Sequence, residues 1–404
     1  MNEPIVIVGA GQAGVALAAK LRALAYADRL ILIGDENVPP YQRPPLSKKY
    51  VSGELDVERL LIRPREWYAE QKIELRLEQR VTMLSPPEHT LTLSDGTQLT
   101  YAKLALTSGA RARGLPAEIG GTLPGVVTVR SLTDADAIIP QLRPDARLVV
   151  VGGGYIGLEA AAVTAAKGLP VTVIEAAERI LQRVAAAETA AYFRDLHQRH
   201  GVIIREATGL ERIEGEARVR AVVLKDGTVL PADLVIVGIG ILPNDELASA
   251  AGLAIENGIA VDEQGRSSDP DIFAAGDCAS FPWQGVRTRL ESVQNAIEQA
   301  EHTAAAMLGA ADHYNPVPWF WSDQYDVKLQ IAGLNRGYDQ VVVRPGKRPG
   351  SQSVWYYRQG RMIAVDAMND ALAYAFGKKA LESGKSITPE QAADTAADLK
   401  AALG

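Results

Sequence analysis

Glycines 9, 11 and 14 stand in the run Ile5-Val6-Ile7-Val8-Gly9-Ala10-Gly11-Gln12-Ala13-Gly14, between an apolar stretch and an alanine-rich one. In a strand-turn-helix unit this spacing suits phosphate binding. The first glycine turns tightly, the second lets backbone N–H groups approach a pyrophosphate, and the third lets the helix lie close on the strand. The pattern returns at an offset of 143 residues as Leu148-Val149-Val150-Val151-Gly152-Gly153-Gly154-Tyr155-Ile156-Gly157. Each copy continues into a second apolar run, Leu30 to Ile33 and Val171 to Ile174, and then an acid. Asp35 lies 21 residues beyond Gly14, and Glu175 lies 18 beyond Gly157. A carboxylate there accepts hydrogen bonds from an adenosine ribose. One glycine triad is a weak signal, because glycines also serve ordinary turns, but two copies with their acids are a strong one. At Glu175 the negative charge also repels a 2'-phosphate, so NADH is expected over NADPH. Arg179 and Arg183 are the side chains that could oppose this preference, or else form a solvated helix start.

To hold these groups the chain needs two βαβ units. Around them Arg76 to Val81, Thr90 to Leu93 and Leu99 to Leu106 read as strands, with a hairpin turn at Asp95-Gly96. The second unit closes with Ala221 to Leu224, a turn at Asp226-Gly227, and Leu234 to Gly238. Ser292 and Val293 open an amphipathic helix that runs to about Leu308 and stops at Gly309. Residues 314–357 hold nine of the chain's 23 aromatics, which marks a third domain. From Trp321 onward there are 11 Lys and Arg against 9 Asp and Glu, a local charge of +2 in a chain of net charge -7. A last amphipathic helix is expected from Pro389 to Leu403, capped by Thr388, with Glu390 and Gln391 in its first turn.

Composition excludes several classes. A chain of 404 residues with 47% hydrophobic and 23% charged residues is a folded globular protein of two or three domains. No apolar run is long enough to span a membrane, and Ile5 begins a strand-like run with no basic-plus-apolar leader before it, so a cytoplasmic protein without membrane partners is expected. Cys278 is the one cysteine and cannot pair within the chain, which rules out dithiol chemistry. No metal is expected: no Cys/His cluster has zinc or iron-sulfur spacing, and His197 and His200 share a helix face without further ligands. The acidic balance opposes nucleic-acid binding, which needs a basic surface.

The segment Ile272-Phe273-Ala274-Ala275-Gly276-Asp277 resembles the second FAD-binding signature of two-dinucleotide flavoproteins. That resemblance implies that the first unit binds FAD, that the second unit is inserted into it and binds NADH, and that Asp277 holds the ribityl chain. In disulfide-oxidoreductase relatives the stretch matching Pro40-Tyr41-Gln42-Arg43-Pro44-Pro45-Leu46-Ser47-Lys48 carries a redox cysteine pair, and here it has none. Taken with Leu104 to Gly109, residues 152–162, Arg289 to Asn295 and Pro318 to Tyr325, the pattern covers almost the whole chain. It resembles the NADH-dependent ferredoxin reductases of bacterial oxygenase systems. One departure is Leu106-Thr107-Ser108-Gly109, where that family usually shows Ala-Thr-Gly; at most a local change is expected where the FAD and NAD domains cross.

The fold implied is α/β, with two Rossmann-like dinucleotide-binding domains of the glutathione-reductase type, for FAD and NAD, and a C-terminal α+β domain. Its segments are residues 1–111 and 240–318 for FAD, 112–239 for NAD, and 319–404 for the tail. The resemblance places Gly9, Gly11, Ala13, Gly14, Asp35, Arg43, Lys48, Val81, Arg130, Asp277 and Val293 on FAD. Gly152, Gly154, Tyr155, Ile156, Gly157, Glu175, Arg183 and Gly240 are placed on NAD(H). Three residues are given catalytic roles. The Lys48 ammonium, close to flavin N5 or C4=O, stabilises electron density arriving as hydride, Glu159 pairs with Lys48, and Trp321 lines the flavin. On composition alone Lys48 and Glu159 would be ordinary surface charges, and Trp319, Phe320 and Trp321 tail-domain core. Helix polarity at Val293 favours reduced, anionic flavin. No general acid or base is required, because hydride passes directly between stacked rings.

The function implied is transfer of electrons from NADH through FAD to a [2Fe-2S] ferredoxin that supplies a cytochrome P450 or a Rieske-type oxygenase. Such carriers are usually acidic, and Arg63, Arg65, Lys328 and Arg336 are candidate docking cations. Two alternatives stand beside it: the same chemistry with rubredoxin or another acceptor, and a non-enzymatic NADH/FAD redox sensor resembling apoptosis-inducing factor. Slow flavin reduction with a change of oligomeric state would mark the sensor.

Overall fold

In the computed structural model, which describes residues 3–403, the chain forms two compact units. The first takes the chain up to Gln42, then Asp56–Arg111 and Ile241–Pro316; the second takes Arg43–Leu55, Ala112–Gly240 and the chain from Val317.

In the first unit a parallel sheet has the order Ile272–Ala274, Lys103–Leu106, Ile5–Val8, Leu30–Ile33, Ile73–Arg76. Helices cover such a sheet on both faces, which is why its central strands Ile5–Val8 and Leu30–Ile33 are unbroken Val, Ile and Leu rather than alternating. The helix Gln12–Ala23 and the helix Val293–Met307 share one core through Ala13, Leu17, Ala296, Ala300 and Ala304, and its alanines let the two backbones approach. A three-stranded meander (Val81–Ser85, Thr90–Leu93, Gln98–Thr100) completes this region, and Asp95 holds its turn by accepting from Thr97 N at 2.8 Å.

The second unit repeats the arrangement. Its parallel sheet has the order Ile203–Arg205, Val171–Ile174, Leu148–Val151, Leu234–Val237, Val126–Val127. The helix Tyr155–Ala166 follows the glycine turn, and a meander of Leu210–Gly215, Val219–Leu224 and Val229–Pro231 closes it. The tail forms a five-stranded antiparallel sheet, Trp319–Gln324, Val327–Gly333, Arg361–Met368, Gln352–Arg358, Gln340–Pro345, packed by the helix Ala371–Glu382 around Trp355 and Tyr357.

Three local expectations are corrected. Residues 76–81 are not a strand. The strand Ile73–Arg76 ends, Glu78 takes a positive φ of 54°, and Val81 starts the meander, because the chain is changing sheets there. Leu99 to Leu106 is broken for the same reason: Tyr101 N bonds His89 O and Ala102 N bonds Pro4 O. The last helix stops at Ala393. The buried Arg344 guanidinium takes the carbonyls of Gln391, Ala392, Asp394, Thr395 and Ala397, which a continuing helix would have used internally. The expected Thr388 cap is present, with Gln391 answering it in a capping box. Residues 43–55 lie in the second unit. Polar contacts draw them there: Tyr50 OH donates to Asp136 at 2.7 Å, and Lys167 Nζ donates to Ser52 O at 3.0 Å.

Asp366 lies in the tail sheet, fully buried, accepting from Thr189 Oγ1 at 2.8 Å and from the Tyr356 hydroxyl. Burial pushes its carboxyl from 3.8 up to about 6, and the two hydroxyl bonds offset only part of that. A carboxyl raised by folding lends stability that is complete below its unfolded value of 3.8 and is lost as pH rises through about 6. Urea titrations across that window should show wild type losing on the order of 2–3 kcal/mol relative to Asp366→Asn, in which the dependence disappears. Parallel curves would refute the assignment.

Candidate active site

Two glycine cradles are built the same way. Gly9 has φ +116°, and a Cβ there would lie 2.2 Å from Thr107 O, while a Cβ on Gly14 would lie 2.1 Å from Gly9 O. Gly152 has φ +105° with Gly238 O at 2.4 Å, and Gly157 would meet Gly152 O at 2.2 Å. The middle glycines differ: around Gly11 nothing lies within 4 Å, and around Gly154 only Gly238 O reaches that distance. Each helix is therefore locked against its strand, while the turn facing its N-terminus stays open, a shape that fits a pyrophosphate.

In the first cradle Asp35 is exposed just past the strand Leu30–Ile33. The Gly276 turn, φ +83°, comes so close to Ala13 that a Gly276 Cβ would lie 3.0 Å from the Ala13 Cβ. Gln299 Oε1 accepts from Gly276 N at 2.9 Å, and Arg289 Nη1 donates to Asp277 O at 3.1 Å, so the turn that carries Asp277 is pinned from two sides. Val293 opens its helix with Ser292 Oγ accepting from Asn295 N at 3.1 Å. Ser108 does more than replace a small residue: its hydroxyl donates to Asn244 O at 2.6 Å and Asn244 Nδ2 returns a bond to Ser108 O at 2.8 Å. Val81 begins the meander.

In the second cradle Glu175 accepts from Gly153 N and from Ala177 N, both at 2.8 Å, so this acid also shapes the glycine turn. Arg179 is spent internally, its guanidinium donating to Ala185 O at 2.8 Å. Arg183 is exposed and reaches the Gly240 turn, with Nη2 3.5 Å from where a Gly240 Cβ would stand. Tyr155 packs its ring 5.2 Å from Phe320 and its hydroxyl is buried without a hydrogen-bond partner, while Ile156 is exposed.

Lys48 Nζ lies 3.0 Å from Glu159 Oε1 and 3.6 Å from Asp323 Oδ2. Glu159 is 5% exposed on the helix Tyr155–Ala166 and accepts from Ser322 Oγ at 2.7 Å and Ser47 Oγ at 3.1 Å. Burial pushes its carboxyl up, and the Lys48 ammonium and the two serine hydroxyls pull it back. Tyr155 and Glu159 are one helical turn apart, and they face Phe320 and Ser322, two apart on the strand Trp319–Gln324. Trp321, on the opposite face, is half-buried, 5.8 Å from Trp319. Arg43 Nη1 donates to Arg130 O at 2.9 Å. Of the docking cations, Arg63 lies over Trp67 at 5.5 Å, and Arg65, Lys328 and Arg336 are exposed. His197 is buried rather than presented to solvent, and no cluster able to hold a metal occurs among the described residues.

Sequence reasoning missed Ser47, Ser322 and Asp323 around the Lys48–Glu159 pair, and Gln299 behind Gly276. Only the polar residues at alternate positions of Phe320-Ser322-Gln324, in an aromatic strand, hinted at a buried acceptor.

Two nucleotide cradles, one interrupted by the other, and a reductase tail define a class of dinucleotide oxidoreductase. The chain matches the pyridine nucleotide-disulphide oxidoreductase family over residues 3–300 and the reductase C-terminal family over residues 319–403, and it belongs to the former. It is 45% identical to the ferredoxin reductase subunit of a 5,5'-dehydrodivanillate O-demethylase from Sphingobium sp., over 98% of this chain and 97% of that one. Among solved structures it is similar to the ferredoxin reductase for the CYP199A2 system from Rhodopseudomonas palustris, with TM-score 0.96, 44% identity and full coverage of both chains. It is also similar to putidaredoxin reductase in a covalent complex with putidaredoxin, with TM-score 0.96, 42% identity, and 100% and 98% coverage.

The cradle geometry sets an expected outcome. A methyl group at Gly14 or Gly157 collides with backbone, so Gly14→Ala should be purified with little flavin but a normal second cradle. Gly157→Ala should keep its flavin and bind NADH roughly tenfold or more weakly by fluorescence titration. Flavin loss in Gly157→Ala alone would reverse the assignment of the two cradles.

Proposed function

We infer that the protein is an FAD-dependent NADH:ferredoxin oxidoreductase that passes electrons to a [2Fe-2S] ferredoxin serving a cytochrome P450 or a Rieske-type oxygenase. The observation that carries this reading is the pairing of two complete cradles with the ion pair of Lys48 and the buried Glu159, at the place where a disulfide reductase would need cysteines. The matched families and relatives support the same activity and cofactors. When bound, NADH supplies a hydride and FAD accepts it and releases the two electrons singly.

The chain's own residues bind, orient and polarise. Gly9, Gly11, Ala13, Gly14, Asp35, Arg43, Val81, Arg130, Asp277 and Val293 are assigned to FAD. Gly152, Gly154, Tyr155, Ile156, Gly157, Glu175, Arg183 and Gly240 are assigned to NADH. Lys48 supplies positive potential where electron density arrives, Glu159 is its counter-ion, and Trp321 is assigned to the flavin. Residues 1–111 and 240–318 would serve FAD, 112–239 NADH, and 319–404 the interface. The ferredoxin docks transiently through Arg63, Arg65, Lys328 and Arg336, which are accessible cations. No helix among the described residues is long and apolar enough to cross a membrane. We place the reaction in the cytoplasm, where NADH is the available reductant.

Anaerobic stopped-flow mixing with NADH and with NADPH, followed by a panel of [2Fe-2S] ferredoxins and a rubredoxin, tests the reading. Rapid bleaching by NADH and onward transfer to at least one ferredoxin is expected; transfer only to rubredoxin, or slow bleaching with a change of oligomeric state, would replace it. Glu175→Arg should move selectivity towards NADPH by about tenfold or more, since one opposed charge pair becomes an attractive one. Because Glu175 also holds Gly153 and Ala177, some loss of kcat/KM with NADH should accompany the switch. Unchanged selectivity would remove Glu175 from the ribose.

A further inference from the structure

Glu159 is the inner end of a longer line of hydrogen bonds in the second unit. Ser322 Oγ donates to Glu159 Oε1 at 2.7 Å, and Gln324 Nε2 donates to Ser322 Oγ at 3.2 Å. Gln324 Oε1 lies 2.8 Å from His197 Nε2, and the Tyr325 hydroxyl lies 3.2 Å from His197 Nδ1. Ser322, Gln324 and His197 are fully buried, whereas Tyr325 is half-buried and stacks on His200 at 3.7 Å.

The chemistry of each group sets the direction of the line. The Gln324 carbonyl oxygen only accepts, so His197 carries its proton on Nε2, and its bare Nδ1 accepts from Tyr325. Burial pushes His197 down to about 4, which keeps the ring neutral. Turning the Gln324 amide over would aim the Ser322 proton away from Glu159 and leave an oxygen lone pair against a carboxylate, so the stated orientation is the favourable one. Every proton in the line therefore points towards Glu159. Such a line does not serve as a proton exit, because outward transfer would require the amide to invert. It stabilises negative charge at its inner end. The charged neighbours are few: Lys48 faces Glu159, Asp323 faces Lys48 from the other side, and His200 is the titratable group beside His197.

We propose that His197, acting through Gln324 and Ser322, is a positioning residue that keeps Glu159 a carboxylate and so preserves it as the counter-ion of Lys48. The claim about Glu159 stands on this geometry, while its kinetic consequence rests on the role given above to Lys48. His197→Leu removes the donor, and His197→Gln returns an amide N–H at about the same reach.

The test uses the full-length flavin-loaded protein. The protonated-carboxyl infrared band that vanishes in Glu159→Gln is titrated in each variant, and flavin reduction by NADH is followed by stopped flow. In His197→Leu the band should persist to a pH higher by about one unit, a tenfold shift in the ionisation equilibrium, with recovery in His197→Gln. Reduction at saturating NADH should slow roughly three- to tenfold without a change in NADH affinity. An identical titration in wild type and His197→Leu overturns the proposal. A shifted band with unchanged reduction supports the positioning and instead removes Lys48 and Glu159 from hydride transfer. Gln324→Leu breaks the line one step further in and gives the same comparison should His197→Leu fail to fold.

Discussion

A carboxylate removed from water must be met by a cation and by hydrogen-bond donors, or it takes up a proton. Glu159 sits under that constraint, and much of the second unit is arranged to meet it. Lys48 and Ser47 arrive from a segment more than a hundred residues upstream, and Ser322 arrives from the tail sheet. Two stretches remote in sequence are thereby held to one helix, and residues 43–55 lie in the second unit. Removing one partner of such a pair leaves a charge that the interior cannot solvate, so the pair ties these segments to one geometry.

The second organising constraint is steric and occurs twice. Each glycine helix lies so close to its strand that a single methyl group would overlap a backbone oxygen. That closeness aims the helix N-terminus and its free N–H groups at a turn left open for phosphate. The two parallel sheets have matching strand orders, so one architecture is used in both units. What differs is the lining: Asp35 stands exposed, whereas Glu175 is bound to two backbone amides and shapes its own turn.

The tail sheet carries the polar residues that finish the site. Along Trp319–Gln324 alternate side chains go to opposite faces, so Phe320, Ser322 and Gln324 meet Tyr155, Glu159 and His197 while Trp321 is presented elsewhere. A run that composition alone would count as aromatic core is thus also a source of hydrogen bonds. Asp366 and Arg344 show that the same domain tolerates buried ionisable groups when neighbouring hydroxyls or carbonyls receive them.

Local chemistry in the sequence determined the glycine turns, the acids after them, the Asp95-Gly96 turn, the Thr388 cap and the helix from Val293 to its stop before Gly309. Each of these depends on residues within a few positions of one another, so spacing is enough to read them. The resemblance carried by the motifs then pointed to both cofactors and to the pairing of Lys48 with Glu159. Tertiary structure alone decided where the chain changes sheets near Glu78 and Tyr101, since those breaks come from bonds to His89, Pro4 and Glu36 rather than from any breaker residue. It also decided that the last helix stops at Ala393, because the group that claims its carbonyls, Arg344, lies on a strand some fifty residues earlier. The line from His197 to Glu159 belongs to the same class. Hydrogen-bond partners that meet only through packing leave no periodic trace in sequence, whereas turns, caps and cradles do, because their partners are neighbours along the chain.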